Sequence, residues 1–132
     1  MRLLLLAFAA VVALLALAYH LAALQIFNLI VPKDGGTLVV ARRVAFGPDA
    51  AQKLDIYAPE GERAGLPVVV FIHGGSWENG DKDGYDFIGR AFAAQGFLTL
   101  VAGYRKRPQH PYPAFVEDAA FALAFAQDNS QA

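Results

Sequence analysis

The chain has 132 residues and a formal net charge of −1, and 56% of its residues are hydrophobic while 17% are charged. This length allows one globular domain at most. The balanced charge argues against a nucleic-acid partner, because proteins that bind a phosphate backbone carry a basic patch and the longest basic run here covers only residues 105–107. The absence of cysteine excludes disulfides, thiolate zinc sites and a cysteine nucleophile.

The first segment is strongly apolar. From Leu3 to Leu24 the only polar interruptions are Tyr19 and His20, and about twenty apolar residues with a helical rise of about 1.5 Å each match the thickness of a bilayer core. This favours a single-pass anchor within residues 1–32 and a membrane location. A cleaved signal peptide, with a secreted or periplasmic product, stays open because Ala16-Leu17-Ala18 resembles a cleavage site.

A turn follows the apolar segment, and a second unit is expected after it. Residues 33–36, with two adjacent glycines, predict the turn, and residues 37–132 are then expected to form one α/β domain. Thr37 to Phe46 is predicted to be a strand. Leu54 to Tyr57 alternates apolar and polar residues, which is typical of a half-exposed strand near a sheet edge. The two strands are expected to pair antiparallel.

The next strand leads into the most informative stretch of the chain. The run Val68 to Ile72 is apolar and rich in β-branched residues, which predicts a central parallel strand buried on both faces. Directly after it come two adjacent glycines, which allow the backbone to turn so that its N–H groups converge. Such a cluster of amides suits an oxygen that carries negative charge. A simpler alternative is an ordinary strand-to-helix turn with Trp77 filling a gap beneath it.

The remaining elements complete a strand, helix and strand unit over Pro67 to Ala102. After a polar surface loop over Glu78 to Gly84, a helix is predicted to end at Gly96, and Phe97 to Ala102 is the next strand. The residues expected on the buried face of that helix are Ile88, Ala91, Phe92 and Gln95. Tyr104 to Pro113 contains three prolines and is expected to be a loop. A last helix is predicted from Ala114, with Phe115, Ala119, Ala122, Leu123 and Ala126 at helical spacing.

Several motifs together resemble one family. They are Leu54-Asp-Ile-Tyr-Ala-Pro59, His73-Gly-Gly-Ser-Trp77, Tyr104-Arg105, Pro108, His110-Pro-Tyr-Pro-Ala114 and Asp118. In this order the chain resembles the α/β-hydrolase esterases and lipases of the carboxylesterase and hormone-sensitive-lipase-like type. Its five-residue loop is similar to that of feruloyl-esterase-like and kynurenine-formamidase-like members. The resemblance implies the N-terminal portion of an α/β-hydrolase sheet, with antiparallel edge strands, then a parallel βαβ unit, preceded by one transmembrane or signal helix.

The same resemblance implies roles for the loop. Gly74, Gly75 and Ser76 would form the oxyanion hole with their backbone amides, while His73 and Trp77 would support the loop and His73 would not be the catalytic base. The substrate would be a small-molecule ester, with no metal and no cofactor. The nucleophile elbow, the acid and the base of the family would follow residue 132. The chain is therefore expected to be the N-terminal fragment of a membrane-anchored serine hydrolase, and the alternative is a non-catalytic α/β-hydrolase-like or structural membrane protein.

Three other motifs fit less well. Ser76 as a nucleophile would need glycine two residues later, where Glu78 stands and disfavours the tight elbow. A phosphate-binding loop over residues 75–82 has its lysine displaced by one, with Asp83 in place of the magnesium-binding hydroxyl. A calcium loop starting at Asn79 would have Arg90 where the bidentate glutamate belongs. We therefore interpret residues 78–84 as a solvated loop.

Overall fold

The structure is a computed structural model that describes residues 2–61 and 63–129, and the chain divides into two compact units, Met1–Val31 and Pro32–Ala132. The last three residues of the predicted second domain lie outside the described residues. The first unit contains helix α1, Arg2–Ile30. No single helix of the described residues is long and apolar enough to cross a membrane, whereas Leu4–Tyr19 and Ala23–Ile30, bent by 68°, pass by length and composition only as a pair. The expected N-terminal helix is present, and its relation to a membrane stays a prediction.

The described residues of the second unit form a four-stranded mixed sheet with two α-helices. Its strands are β1 (Thr37–Ala45), β2 (Lys53–Pro59), β3 (Val68–Ile72) and β4 (Leu98–Ala102), arranged in the order β1-β2-β4-β3. Its helices are a short 3₁₀ helix (Lys82–Tyr85), α2 (Asp86–Ala94) and α3 (Ala114–Asn129). The antiparallel pairing of β1 with β2 is confirmed, and so is the parallel pairing of β3 with β4.

The core lies on both faces of the sheet. On one face Leu100 and Ala102 of β4 pack with Ala122 and Ala126 of α3. On the other face Val101 packs with Tyr57 of β2 and Ala93 of α2. Successive residues of β4 thus serve opposite faces, as the twofold alternation of a strand requires.

The prediction that β2 is half-exposed is wrong, whereas its expected place near a sheet edge agrees with its position next to the outermost strand β1. Strand β4 pairs with β2 on the side away from β1, so β2 lies inside the sheet and Asp55 is only 1% exposed. The carboxylate of Asp55 is compensated by Lys82, 2.9 Å away, and by the backbone N–H of Arg43 at 2.7 Å. Lys82 and Gly84 are buried as well, which corrects the expectation of a solvated loop at these two positions, while residues 78–81 and Asp83 are exposed as expected.

The prediction that β3 is a central strand buried on both faces also needs correction. All five residues of β3 are half-buried, and among the described strands only β4 pairs with it. The reason is the path of the chain, which places β4 between β2 and β3 and leaves the other edge of β3 uncovered by any described strand.

The predicted buried face of α2 is wrong, although its end is confirmed. The buried residues are Asp86, Gly89 and Ala93; Ile88 and Ala91 are half-buried, and Phe92 and Gln95 are exposed. Gly89 turns inward because Tyr57 lies against its backbone, where an added Cβ would meet the ring at 2.4 Å. At the C-terminus Gly96 has φ 89°, and its N–H bonds to the Ala93 carbonyl while that of Phe97 bonds to Phe92. This pair of hydrogen bonds is the Schellman motif.

Helix α3 begins at Ala114 as predicted, and its inward face is partly the expected one. Phe115, Ala122 and Ala126 are buried, whereas Leu123 is 54% exposed. The side chain that takes an inward position instead is Asp118, which is fully buried. Apolar spacing did not indicate this position because its partners lie in other elements, as described below.

Candidate active site

The loop that follows β3, residues 73–80, accepts hydrogen bonds at three successive backbone carbonyl groups. The carbonyl of His73 accepts a hydrogen bond from the Tyr104 hydroxyl at 3.0 Å, and the carbonyl of Gly74 accepts one from Nδ1 of His73 at 2.8 Å. The carbonyl of Gly75 accepts two, from the N–H groups of Glu78 at 3.1 Å and Asn79 at 2.8 Å. These hydrogen bonds to the three carbonyl oxygens hold the loop in its conformation.

The three bonded carbonyl groups also determine the directions of the backbone N–H groups that follow them. The described cis peptide bonds precede Pro108 and Pro113, so the loop peptides are trans and each N–H points opposite to the carbonyl of the same plane. The N–H groups of Gly74, Gly75 and Ser76 are thereby oriented away from the bonded carbonyls. Within residues 2–61 and 63–129, none of these three N–H groups donates a backbone hydrogen bond. They are available to an acceptor that is not part of the described chain.

His73 is buried and holds the loop as a neutral ring. Its exposed fraction is 2%, and it stacks on Tyr104, with ring centroids 4.4 Å apart, and on Tyr85 at 5.8 Å. A carbonyl oxygen only accepts hydrogen bonds, so Nδ1 carries the proton. Burial lowers the pKa of His73 below its ordinary 6.5, against the opposing hydrogen bond to Gly74. Nε2 is buried without a hydrogen-bond partner in the described part of the chain.

Two glycines are sterically required in this loop. Gly75 has φ 132°, and a Cβ there would lie 2.1 Å from the carbonyl oxygen of Asn79. Gly80 has φ 86°, and a Cβ there would lie 2.5 Å from the carbonyl oxygen of Gly74. Gly74 differs, since no heavy atom lies within 4 Å of its added Cβ. The sequence alone did not single out Gly80, although a glycine at the far end of a tight loop is the available signal.

The two residues after Gly75 adopt an uncommon backbone conformation. Ser76 has φ 56° and Trp77 has φ 62°, in the left-handed region that non-glycine residues rarely adopt. The Trp77 ring stacks on Phe115 of α3 at 4.7 Å and lies edge-on to Tyr104 at 5.4 Å. These ring contacts connect the loop to α3, and 42% of Trp77 remains exposed.

A buried ionic network connects Asp118, Arg105 and Gln52, and sequence analysis identified Asp118 and Arg105 only through the family motif. Asp118 accepts hydrogen bonds from the backbone N–H of Arg105 at 2.7 Å, from the Arg105 guanidinium at 2.7 Å and from Gln52 at 2.6 Å. Burial raises the pKa of Asp118, but the hydrogen bonds from Arg105 and Gln52 outweigh it and hold the pKa below its ordinary 3.8. Gln52 had no signal in the sequence.

A polar cavity of about 190 Å³ is lined in part by residues 81–83, which follow the loop in the chain, and by Tyr104 and Lys106. Its charged lining residues are Arg43, Lys53, Asp81, Lys82, Asp83 and Lys106. In the portion of the chain that the structure describes, no group of three or more histidine, aspartate or glutamate side chains has the arrangement to hold a metal ion.

Comparison with known proteins gives consistent results. The BD-FAE family model matches residues 54–132. Over 77 residues the chain is 43% identical to carboxylesterase NlhH of Mycobacterium tuberculosis, covering 57% of this chain and 24% of that protein. Over 91 residues it is 37% identical to esterase LipC of the same organism, covering 67% of this chain and 22% of that protein. The chain thus spans about a quarter or less of the length of these relatives.

The solved structures agree in fold. Esterase B from Lactobacillus rhamnosis superposes with a TM-score of 0.76 at 25% identity, covering 99% of this chain and 42% of that one. A bacterial heroin esterase superposes with a TM-score of 0.71 at 23% identity, covering 86% of this chain and 36% of that one, and supports the fold alone. With the family model matched over more than half of its residues and with esterases among its relatives, the chain belongs to the BD-FAE family of α/β-hydrolase esterases.

Proposed function

We propose that this chain supplies the oxyanion-binding loop of a serine hydrolase of small-molecule carboxylic esters and is the N-terminal part of that enzyme. The observation that carries the proposal is the loop backbone, in which the carbonyls of His73, Gly74 and Gly75 are all bonded. When a nucleophile attacks an ester, the carbonyl oxygen becomes an anion, and oriented backbone N–H groups stabilise it. The amides of Gly74, Gly75 and Ser76 would be the donors.

The nucleophile, acid and base of this enzyme would come from sequence after residue 132. In support, the chain spans only 24% of carboxylesterase NlhH. His73 is a poor candidate for the catalytic base. Its proton-bearing Nδ1 is bonded to the Gly74 carbonyl, and no described residue bonds to its buried Nε2. Within the described residues no hydrogen bond joins the Ser76 hydroxyl to His73, whereas a serine nucleophile requires a base within hydrogen-bonding reach.

The proposal includes attachment to a membrane through Leu3 to Leu24. Large apolar side chains of α1 are mostly exposed, with Leu4 at 76%, Phe8 at 69% and Leu14 at 65%. Exposed apolar surface costs about 25 cal/mol per Å² in water, and lipid removes that cost. We expect the chain to stay in the membrane fraction after a high-salt wash. Recovery in the soluble fraction with an N-terminus near Tyr19 would instead indicate a cleaved signal peptide and a secreted or periplasmic protein.

Turnover of a short p-nitrophenyl ester by the product of the complete reading frame tests the catalytic proposal. Gly75→Val should lower kcat by about 10²–10³, because the side chain cannot fit against Asn79 and the loop amides must move. Gly35→Ala is the control, since Gly35 lies outside the loop and no heavy atom lies within 4 Å of its added Cβ, and it should retain most of the activity. The 132-residue chain alone should be inactive.

Three results would contradict the proposal. Equal rates for Gly75→Val and the wild type would mean that the loop is only a turn. Turnover by the 132-residue chain would place the nucleophile within it. A complete product without any esterase activity would favour the non-catalytic alternative.

A further inference from the structure

A second loop, residues 104–107, contacts the oxyanion-binding loop along its length. Besides the bond from Tyr104, the backbone N–H of Arg107 donates to the carbonyl of Trp77 at 2.8 Å. The guanidinium of Arg107 lies 3.4 Å from the Glu78 carboxylate. The Lys106 ammonium donates to the carbonyl of Gly80 at 2.5 Å.

Among these contacts, that of Lys106 depends most on its side chain. The pair of Arg107 with Glu78 is about half exposed on both sides, and exposed ion pairs contribute little. The bond to Trp77 uses a backbone N–H that any residue except proline would provide. Lys106 is half-buried as a residue, although its hydrogen bond to Gly80 is exposed. None of the ion pairs of the described residues involves its ammonium. Its charge is therefore directed at a carbonyl, and a charged donor makes a stronger hydrogen bond than a neutral one.

Gly80 connects Lys106 to the oxyanion-binding amides, because it contacts both Lys106 and Gly74. Its backbone packs so closely on the Gly74 carbonyl and on Nδ1 of His73 that an added Cβ would approach them to 2.5 and 2.9 Å. The Gly74 carbonyl shares a peptide plane with the N–H of Gly75. If Gly80 were displaced, this peptide plane could rotate, and the Gly75 N–H would change direction.

We propose that Lys106 is a positioning residue of the oxyanion-binding loop, which holds Gly80 against Gly74 and so keeps the Gly75 N–H directed at the substrate. The inference rests on the proposed function of this loop. The contact of Lys106 with the loop is made to a backbone oxygen, that of Gly80, so Lys106 acts on orientation rather than on substrate binding.

The single tryptophan of the chain, Trp77, provides a readout that needs no activity. We expect acrylamide to quench Trp77 fluorescence more strongly in Lys106→Met than in the wild type, because the loop opens. Lys53→Met is the matched control: Lys53 lines the same cavity, and none of the hydrogen bonds and ion pairs described for residues 2–61 and 63–129 involves its side chain. Lys106→Arg retains a charged donor and should restore wild-type quenching.

The same variants in the product of the complete reading frame test catalysis. Lys106→Met should lower kcat about tenfold with little change in KM, since misplaced donors affect the transition state more than substrate binding. The inference would be overturned if Lys106→Met showed the same quenching as Lys53→Met, or the same kcat. If the complete product has no esterase activity, the proposed function fails, while Trp77 quenching still decides whether Lys106 positions the loop. If Lys106→Met does not fold, Lys106→Gln takes its place.

Discussion

Asp118 binds Arg105 through both the backbone N–H and the guanidinium of that residue, each at 2.7 Å, in a site where Asp118 has no exposed surface. This contact joins α3 to the start of the loop formed by residues 104–107. Gln52 adds the turn before β2 to the same carboxylate. Because Tyr104 is adjacent to Arg105 in the chain and bonds to His73, the position of the oxyanion-binding loop depends on this buried network.

We expect Asp118→Asn to destabilise the protein by about 3 kcal/mol, because loss of the buried carboxylate leaves the Arg105 charge with only the half-exposed Glu117 as a counter-charge. The Arg105 side chain is only 21% exposed, so water replaces the lost carboxylate poorly. The measurement is urea unfolding of the detergent-solubilised chain. Glu117→Gln is the control: Glu117 also contacts Arg105, at 3.4 Å, but it is half exposed, and its loss should cost less than about 1 kcal/mol. Equal effects of the two substitutions would refute the importance of the buried pair.

Stability should fall as the pH decreases below 6.5 because of His73. The unfolded chain binds a proton there near pH 6.5, whereas burial lowers the pKa of the folded residue. Between the two pKa values the unfolded state binds more protons, so the free energy of unfolding is greatest above pH 6.5 and decreases towards the folded pKa. His73→Asn keeps a donor for the Gly74 carbonyl without the titration, and its stability should be flat in this range. The stabilisation of the fold by the ionised Asp118 carboxylate is lost separately, as the pH falls below 3.8. A wild-type profile that is flat between pH 5 and 7 would contradict this expectation.

Gly89→Ala should destabilise the protein even though alanine is the better helix former. Alanine contributes about 1 kcal/mol of helix propensity, but its methyl group would lie 2.4 Å from the Tyr57 ring, and overpacking costs about 1–3 kcal/mol. Tyr57 is 1% exposed and has no room to move, so we expect a net loss of about 1 kcal/mol. Gly35→Ala, where no atom lies within 4 Å, is the control for thermal unfolding. A raised melting temperature for Gly89→Ala would show that the ring relaxes.

Local patterns in the sequence determined the elements and their order. The apolar run before residues 73–77 predicted β3, and Gly96 predicted the end of α2, because strand periodicity and left-handed caps are properties of neighbouring residues. The glycine pair indicated an anion-binding turn for the same reason. Family motifs pointed to the esterase fold before any contact was known.

Only the tertiary structure decided which polar residues are buried and which way the loop amides point. Asp55 on β2 and Asp118 on α3 look like surface residues in a periodic pattern, but each is buried because a cation from a distant segment compensates it. The inward face of α2 followed from the position of the Tyr57 ring against Gly89. The direction of the Gly75 N–H depends on a bond from His73 and on the packing of Gly80. Such contacts arise only when the sheet brings separate segments together, so no pattern of adjacent residues encodes them.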